Sequence, residues 1–327
     1  MKAPRFWAND GIVPRLLSPL GRVTAGVTAS RVNRKGWGAP VPVICIGNAT
    51  MGGAGKTTVA LDVASRLLAL GQQPHLLIRG YRGRVLTTRQ VQPTDTAALV
   101  GDEALLLARA APTWVGTDRG SSARAATAAG ADVLVMDDGL QNPTLQKDFS
   151  FLVIDGESGF GNGRLFPAGP LREAVAHAAR RCQAAVLIGP DRHAAVAGLP
   201  LPVLRADLVP GPEIAGLMGK PVLAMAGIAR PEKFFGMLER AGVTVAARCP
   251  FPDHHRFSER EVAHLLRQAD EAALTLVTTP KDMVRLPVAV RSRFRVVTVG
   301  LRWENEPALI GLLEKATRID LARSGRQ

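Results

Sequence analysis

The sequence predicts an α/β protein: a P-loop NTPase-like, doubly wound and mostly parallel sheet, with a second, smaller α/β domain after it. Three observations carry that prediction. Short β-branched runs alternate with helically spaced apolar residues along most of the chain, an order that gives a parallel sheet with right-handed crossovers. The stretch GNATMGGAGKTT at 47–58 lies between one such run and one such helix. After Pro210-Gly211-Pro212 the alternation starts afresh. The 327 residues therefore divide into a basic amphipathic segment at 1–35, a core domain at 36–212 and a smaller domain at 213–327.

The first segment interleaves Phe6, Trp7, Ile12, Val13, Leu16, Leu17 and Leu20 with Arg5, Arg15, Arg22, Arg31, Arg34 and Lys35. That mixture suits a helix in a membrane interface, apolar side chains toward the acyl boundary and arginines at anionic headgroups. It equally suits an amphipathic helix packed on its own domain, and Pro14 and Pro19 argue against one unbroken helix. Residues 41–46 form a strand, and Val59, Ala60, Val63, Leu67 and Leu68 mark a helix over 57–70 closed by Gly71. Further strands fall at 75–78, 114–116, 133–136, 151–154, 185–188 and 203–206, with helices at 103–111 and 121–129. The second series predicts strands at 222–225, 243–247, 275–278 and 295–299, with helices at 231–241, 258–268 and 306–317. Ser258 and Glu261 make a capping box for the middle helix.

Composition narrows the class. With 46% apolar and 21% charged residues the chain is of globular type, and no stretch reaches the roughly 20 apolar residues that span a bilayer. Lys+Arg 41 against Asp+Glu 28 gives a net charge of +13, which favours anionic partners. One tyrosine and few other aromatics supply little for stacking on single-stranded nucleic acid. Cys45, Cys182 and Cys249 are far apart, form no C-x-x-C, and indicate neither a disulfide framework nor a zinc site, so a reducing cytoplasm is the simplest compartment.

Chemistry concentrates in five stretches. In the glycine-rich loop, Thr50, Met51, Gly52, Gly53, Ala54, Gly55, Lys56, Thr57 and Thr58 follow a strand and open a helix, the context in which such a loop binds phosphate. Lys56 is placed for the β- and γ-phosphates and the Thr57 hydroxyl for Mg²⁺. Thr50 stands where a strict P-loop has glycine, and Met51 stands where ATPases that sort DNA carry a signature lysine. VLVMDDGLQ at 133–141 ends an apolar strand in Asp137 and Asp138, where P-loop proteins keep a metal carboxylate, although a single Asp there can also cap a turn. In GDEALLLA at 101–108, spacing alone reads Asp102 and Glu103 as helix-capping carboxylates. GFGNGRLFPAGPLRE at 159–173 reads either as a structural loop or as a ligand loop, with Arg172 for a transferring phosphoryl group and Glu173 assisting the metal. PDHHRFSE at 252–259 sets His254 beside Asp253, for general-base work or merely as a turn before a helix.

Taken together, these segments resemble the tetraacyldisaccharide 4′-kinase family, the lipid A 4′-kinases of Gram-negative bacteria. The resemblance also covers IRGYRGR (78–84), VGTDR (115–119), AGIARPEKFF (226–235) and TTPKDMVRL (278–286), in one order along the chain. It implies transfer of the ATP γ-phosphate to the 4′-hydroxyl of a tetraacylated glucosamine disaccharide 1-phosphate. Lys56 and Thr57 would serve ATP and Mg²⁺, and Asp137 and Asp138 would hold the metal. Asp102 would act with His254 on the sugar hydroxyl, against the capping reading, and Glu103, Arg172 and Glu173 would line the site. The family usually reads D-D-G-F-Q-H and T-E-K-D, where this chain has Leu140, Asn142 and Pro280.

A lipid acceptor would give the basic N-terminus a purpose at the cytoplasmic face of the inner membrane. Two other classes compete. A P-loop GTPase or metallochaperone would need a guanine-reading N-K-x-D, which the sequence lacks, and a nucleic-acid-dependent ATPase would bind DNA or RNA with strong salt dependence. No nucleic-acid partner is expected.

Overall fold

The computed structural model describes residues 4–318; the remaining ends of the outer predicted segments, 1–3 and 319–327, lie outside the described residues. A 3-10 turn at Arg5–Trp7 leads into α1 (Ile12–Val32). The helix is unbroken, contrary to the sequence expectation. Pro14 lies in its first turn, where backbone N–H groups have no helical partner to lose, and the helix absorbs Pro19 further on.

A large sheet follows: β1 (Val43–Gly47), α2 (Lys56–Ala69), β2 (Pro74–Ile78), β3 (Arg89–Gln90), α3 (Ala97–Val100), α4 (Asp102–Leu107), β4 (Thr113–Val115), α5 (Arg119–Ala128), β5 (Val133–Asp137), β6 (Phe149–Asp155), α6 (Val175–Ala179), β7 (Ala184–Ile188) and β8 (Val203–Pro210). The smaller sheet brings β9 (Val222–Ala226), α7 (Pro231–Arg240), β10 (Val245–Pro250), α8 (Glu259–Glu271), β11 (Thr275–Thr278), α9 (Pro280–Met283) and β12 (Phe294–Val296), and the chain ends with β13 (Val299–Trp303) and α10 (Glu306–Arg318). The short β3, α3 and α9 escaped the sequence reading because two to four residues show no period.

The large sheet has nine strands in the order β13-β8-β7-β6-β1-β5-β2-β4-β3, parallel except at its two edges. β1 lies between β5 and β6, and the next strand in sequence, β2, is on the β5 side. The C-terminal end of β1 is therefore a topological switch point, where doubly wound sheets bind ligands. All five residues of β1, β5 and β7 and all seven of β6 are buried, as parallel strands covered on both faces must be. The smaller sheet, β10-β9-β11-β12, is wholly parallel and has its own switch point at the end of β9.

The single strand expected at 295–299 is in fact two. β12 belongs to the small sheet, and β13 returns antiparallel to β8 of the large one. The handover occurs at Val297-Thr298, where Val297 N donates to Thr278 O (3.0 Å) and Gly211 N donates to Thr298 O (2.8 Å). The chain thus crosses between the sheets twice, side by side. α10, expected with the smaller domain, buries Leu309, Leu313 and Ala316 in the core formed by α2 and the large sheet.

If α10 is an integral part of that core, Leu313→Ala should cost about 2–5 kcal/mol by leaving a cavity. Urea unfolding measures it, and a loss under about 0.5 kcal/mol, the range of a surface substitution, would mean that α10 is peripheral.

Candidate active site

The glycine-rich loop leaves β1 at the switch point and turns into α2 at Gly55, whose φ of 87° is left-handed. A Cβ at that position would also lie 2.6 Å from Ile188 Cδ1, so glycine satisfies both the conformation and the space. Lys56 folds back over the loop, its Nζ 3.4 Å from Gly52 O and 3.7 Å from Asp138 Oδ1. Thr50 is occupied structurally: it bridges to Leu171 as an antiparallel pair, and its hydroxyl accepts from Asn48 Nδ2 at 3.1 Å. Met51 is exposed, Ala54 is buried, and Thr57 and Thr58 continue the first turn of α2.

β5 delivers the two aspartates. Thr57 Oγ1 donates to Asp137 Oδ2 at 2.8 Å, while Asp137 Oδ1 is buried without a hydrogen-bond partner. Burial, with the Glu103 and Asp138 carboxylates nearby, pushes Asp137 up to about 7. Asp138 is its opposite. Burial would raise it too, but Lys56 and the Arg172 guanidinium outweigh that effect and lower it to about 2. Arg172 grips Asp138 with two nitrogens, Nη1 to Oδ1 at 2.8 Å and Nη2 to Oδ2 at 3.1 Å.

The smaller sheet supplies His254. Its loop leaves β10, its N–H donates to Gly227 O at the end of β9 (3.2 Å), and its Nδ1 donates to Asp102 Oδ2 at 2.8 Å. Asp102 is buried at the start of α4, and Arg285 Nε lies 3.4 Å from the same carboxylate oxygen. Burial opposes ionisation of Asp102, yet His254, Lys281 and Arg285 together hold it below the ordinary aspartate value. Tyr81 packs edge-on against the imidazole, with centroids 5.5 Å apart. Among the described residues, five other than glycine have left-handed φ, and Arg82, Asp138 and His254 are three of them. Backbone held in that sparsely populated region clusters where side chains must be aimed. Asp102 and His254 also line a cavity of about 410 Å³ shared with Arg82, Arg256, Phe257 and Arg285.

Two predicted site residues have other partners. Glu103 Oε1 accepts from Lys281 Nζ at 3.2 Å. Glu173 is buried and accepts from Arg181 Nη2 at 2.7 Å and from Gln141 Nε2 at 2.9 Å, and Gln141 Oε1 in turn accepts from Arg172. Glu173 thus supports Arg172 from behind rather than facing the loop.

Sequence reasoning missed Lys281, Arg285 and Arg119. Lys281 Nζ donates to His254 Nε2 at 3.3 Å, which with the Nδ1 contact assigns the imidazole its Nδ1–H tautomer. Arg285 is buried among Asp102, Asp282 and the carbonyls of Gly227 and His255. Both lie in TTPKDMVRL, but nothing local in that stretch signals partners on another sheet. Arg119, almost fully buried, donates to Gly116 O, and burial lowers it to about 10 despite the attraction of Asp138 and Asp137. The three departures from the family pattern have structural uses. Leu140 is core, Asn142 Oδ1 accepts from Thr144 N (3.0 Å), and Pro280 opens α9, where proline is favoured.

Residues 13–318 match the family model described as Tetraacyldisaccharide-1-P 4'-kinase. The Tetraacyldisaccharide 4'-kinase of Gluconacetobacter diazotrophicus is 55% identical over 319 residues, covering 96% of this chain and 98% of the relative. That of Rhodospirillum centenum is 51% identical over 323 residues, covering 96% of each. In fold, the chain is similar to the LpxK crystal structure from Aquifex aeolicus in complex with ATP, with a TM-score of 0.74, 24% identity, and coverage of 94% of this chain and 100% of that one.

The buried charges around Arg285 set a stability test. Arg285→Met would strand Asp102 and Asp282 without their guanidinium and should cost about 3–5 kcal/mol in urea unfolding. Arg293→Met, which breaks the exposed pair with Asp270, should stay within about 0.5–1 kcal/mol. Equal effects would refute the buried network as a stabilising feature.

Proposed function

The chain belongs to the tetraacyldisaccharide 4′-kinase family, and we propose that its site transfers the γ-phosphate of ATP to the 4′-hydroxyl of a tetraacylated glucosamine disaccharide 1-phosphate. It is a phosphotransferase with an alcohol acceptor, acting in lipid A biosynthesis. The observation that best supports the proposed division of roles is the Asp102–His254 hydrogen bond, which joins the two sheets beside the phosphate loop. A switch GTPase or a nucleic-acid-dependent ATPase has no evident use for a carboxylate–imidazole pair next to a cavity.

In this reading residues 50–58 wrap the ATP phosphates, with backbone N–H groups and the α2 N-terminus directed at the anion. Lys56 and Arg172 neutralise the transferring phosphoryl group, for which positioning and charge compensation are most of catalysis. Asp138 holds both cations in register. The Asp102 carboxylate, oriented by the His254 Nδ1–H, takes the proton of the sugar hydroxyl, a weak nucleophile that needs a positioned base. Because His254 Nε2 faces Lys281, the acceptor would approach through the cavity side of the pair.

Mg²⁺ fits the residues present. Asp137 Oδ1 is buried without a partner beside the Thr57 hydroxyl, and a cation would satisfy that orphaned oxygen. Among the described residues no three His, Cys, Asp or Glu side chains cluster to cage a metal, which suits an ion that keeps its waters and shares phosphate oxygens. Thr57 and Asp137 would hold it, with Asp138 orienting the surroundings; Glu103 and Glu173 are engaged by Lys281 and Arg181 and are left out. The ion would supply charge neutralisation between the phosphates.

The acceptor's acyl chains place the reaction at a bilayer, and we assign docking to α1 on the cytoplasmic face of the inner membrane. Ile12, Leu16, Leu20, Val23 and Val27 are exposed at helical spacing, flanked by Arg15 and Arg22. No described helix is long and apolar enough to cross a membrane.

The decisive assay mixes the chain with ATP, Mg²⁺ and tetraacyldisaccharide 1-phosphate in detergent micelles and examines the lipid for a second phosphate. Transfer should vanish in Lys56→Ala and should fall about 10²-fold in kcat in Asp102→Ala and His254→Ala. A change confined to KM would reassign the pair to acceptor binding. Separately, joint Leu16→Asp and Leu20→Asp substitution should weaken sedimentation with anionic vesicles; unchanged sedimentation would reduce α1 to a packing element.

A further inference from the structure

The glycine- and proline-rich loop at 159–173 is held at both ends by different parts of the chain. Its C-terminal end runs antiparallel to the first half of the phosphate loop: Met51 N donates to Pro170 O at 2.7 Å, and Arg172 N donates to Ala49 O at 2.7 Å. Its N-terminal end is tied to the opposite extreme of the sequence, chiefly by Asn162. The Asn162 N–H donates to Trp7 O at 2.8 Å. Its Nδ2 lies 3.2 Å from Phe6 O, 3.4 Å from Asn9 O and 3.0 Å from Ala168 O, and its Oδ1 accepts from Arg164 N at 3.1 Å. The amide is packed so closely on Gly169 that a Cβ there would lie 2.1 Å from Oδ1.

Other contacts reinforce the tie. Trp7 Nε1 donates to Pro167 O at 3.0 Å, and its ring meets Phe166 edge-on. Arg164 Nε donates to Asp10 Oδ1 at 2.6 Å. Gly21 lets α1 approach so near that a Cβ there would be 3.1 Å from Leu165 Cβ. α1 therefore has two faces: one exposed and apolar, the other seated on this loop.

We propose that Asn162 is a positioning residue for phosphoryl transfer. It locks the N-terminal segment to the loop whose far end sets Arg172 and the 49–51 half of the phosphate loop. A loop this rich in glycine has no regular ladder to order it, so its conformation depends on such ties. The asparagine amide has two N–H donors, shared here among three carbonyls, and an acceptor for a fourth backbone group, a combination that alanine lacks and that a carboxylate reverses in sign. The N-terminal segment and the phosphate loop consequently move as one unit, and the segment does more than anchor. The proposal rests on the kinase reading for the roles of Arg172 and the loop.

The test uses the full chain in detergent micelles and measures ATP affinity without acceptor, then kcat and lipid KM with it, for Asn162→Ala, Asn162→Asp and Trp7→Phe. Vesicle association and Tm are recorded alongside. Both Asn162 variants should weaken ATP binding about fivefold and lower kcat about tenfold, because a displaced Arg172 costs transition-state contacts. Trp7→Phe keeps an aromatic side chain beside Phe166 but removes the indole N–H and its five-membered ring, and should move the same quantities in the same direction by about threefold. Vesicle association should be unchanged, since the exposed face of α1 is untouched. ATP affinity and kcat within about twofold of wild type would overturn the proposal. A loss confined to lipid KM or vesicle association would do so too, and so would a deficit that disappears well below Tm. Should Asn162→Ala fail to fold, Trp7→Phe carries the test. If the wild-type chain phosphorylated no lipid, the kinase reading would fall, while the ATP-affinity comparison would still decide this proposal.

Discussion

Carboxylates of the large-sheet unit, at strand ends and at the start of α4, are buried or half-buried, and each needs a partner brought to it from elsewhere in the chain. Asp138 receives Lys56 and Arg172, Asp102 receives His254 and Arg285, and Glu103 receives Lys281. Asp155, at the end of β6, receives Arg230 and Lys233 from the start of α7. Three of these four arrangements cross from one sheet to the other, so neutralising the charge also fixes how the sheets face each other. Asp137 is the exception: one of its carboxylate oxygens is buried without a hydrogen-bond partner, and burial beside neighbouring carboxylates pushes its pKa up.

The carboxylate–imidazole pair is likewise assembled from two bodies. Placing Asp102 on α4 and His254 after β10 keeps the pair on its own cavity, while Arg172 and Lys56 stay with Asp138. Asp102 and His254 come from the units of different sheets. In this structure they are already hydrogen-bonded, because Lys281, Glu103 and Arg285 draw the two surfaces together.

The N-terminal segment is a helix with two unlike faces. Its small residues, Gly21 and Thr24, lie against the 160s loop, which leaves the large apolar side chains outward. The two readings of this segment, packed helix and interfacial helix, are therefore compatible: they describe opposite sides of the same cylinder. The double crossing of the chain between sheets, at 210–212 and 297–299, similarly lets one short region be the only backbone route between the two bodies among the described residues.

The sequence by itself determined the elements whose cause is local. Strands such as β1 and β7 are legible because both faces are buried and every residue is apolar, and the phosphate loop is legible because glycines, Lys56 and Thr57 must be contiguous to wrap an anion. The capping box at Ser258 is legible for the same reason. Asp102, by contrast, reads locally as a helix cap, and only the resemblance to a kinase family pointed to its partner. The tertiary structure decided what depends on distant partners: β13 and α10 returning to the large sheet, Lys281 and Arg285 reaching the dyad, and Asn162 tying the N-terminus to the loop. Each of these contacts spans elements whose separation in sequence carries no period, and the desolvation of buried charge that selects them exists only once the sheets have packed.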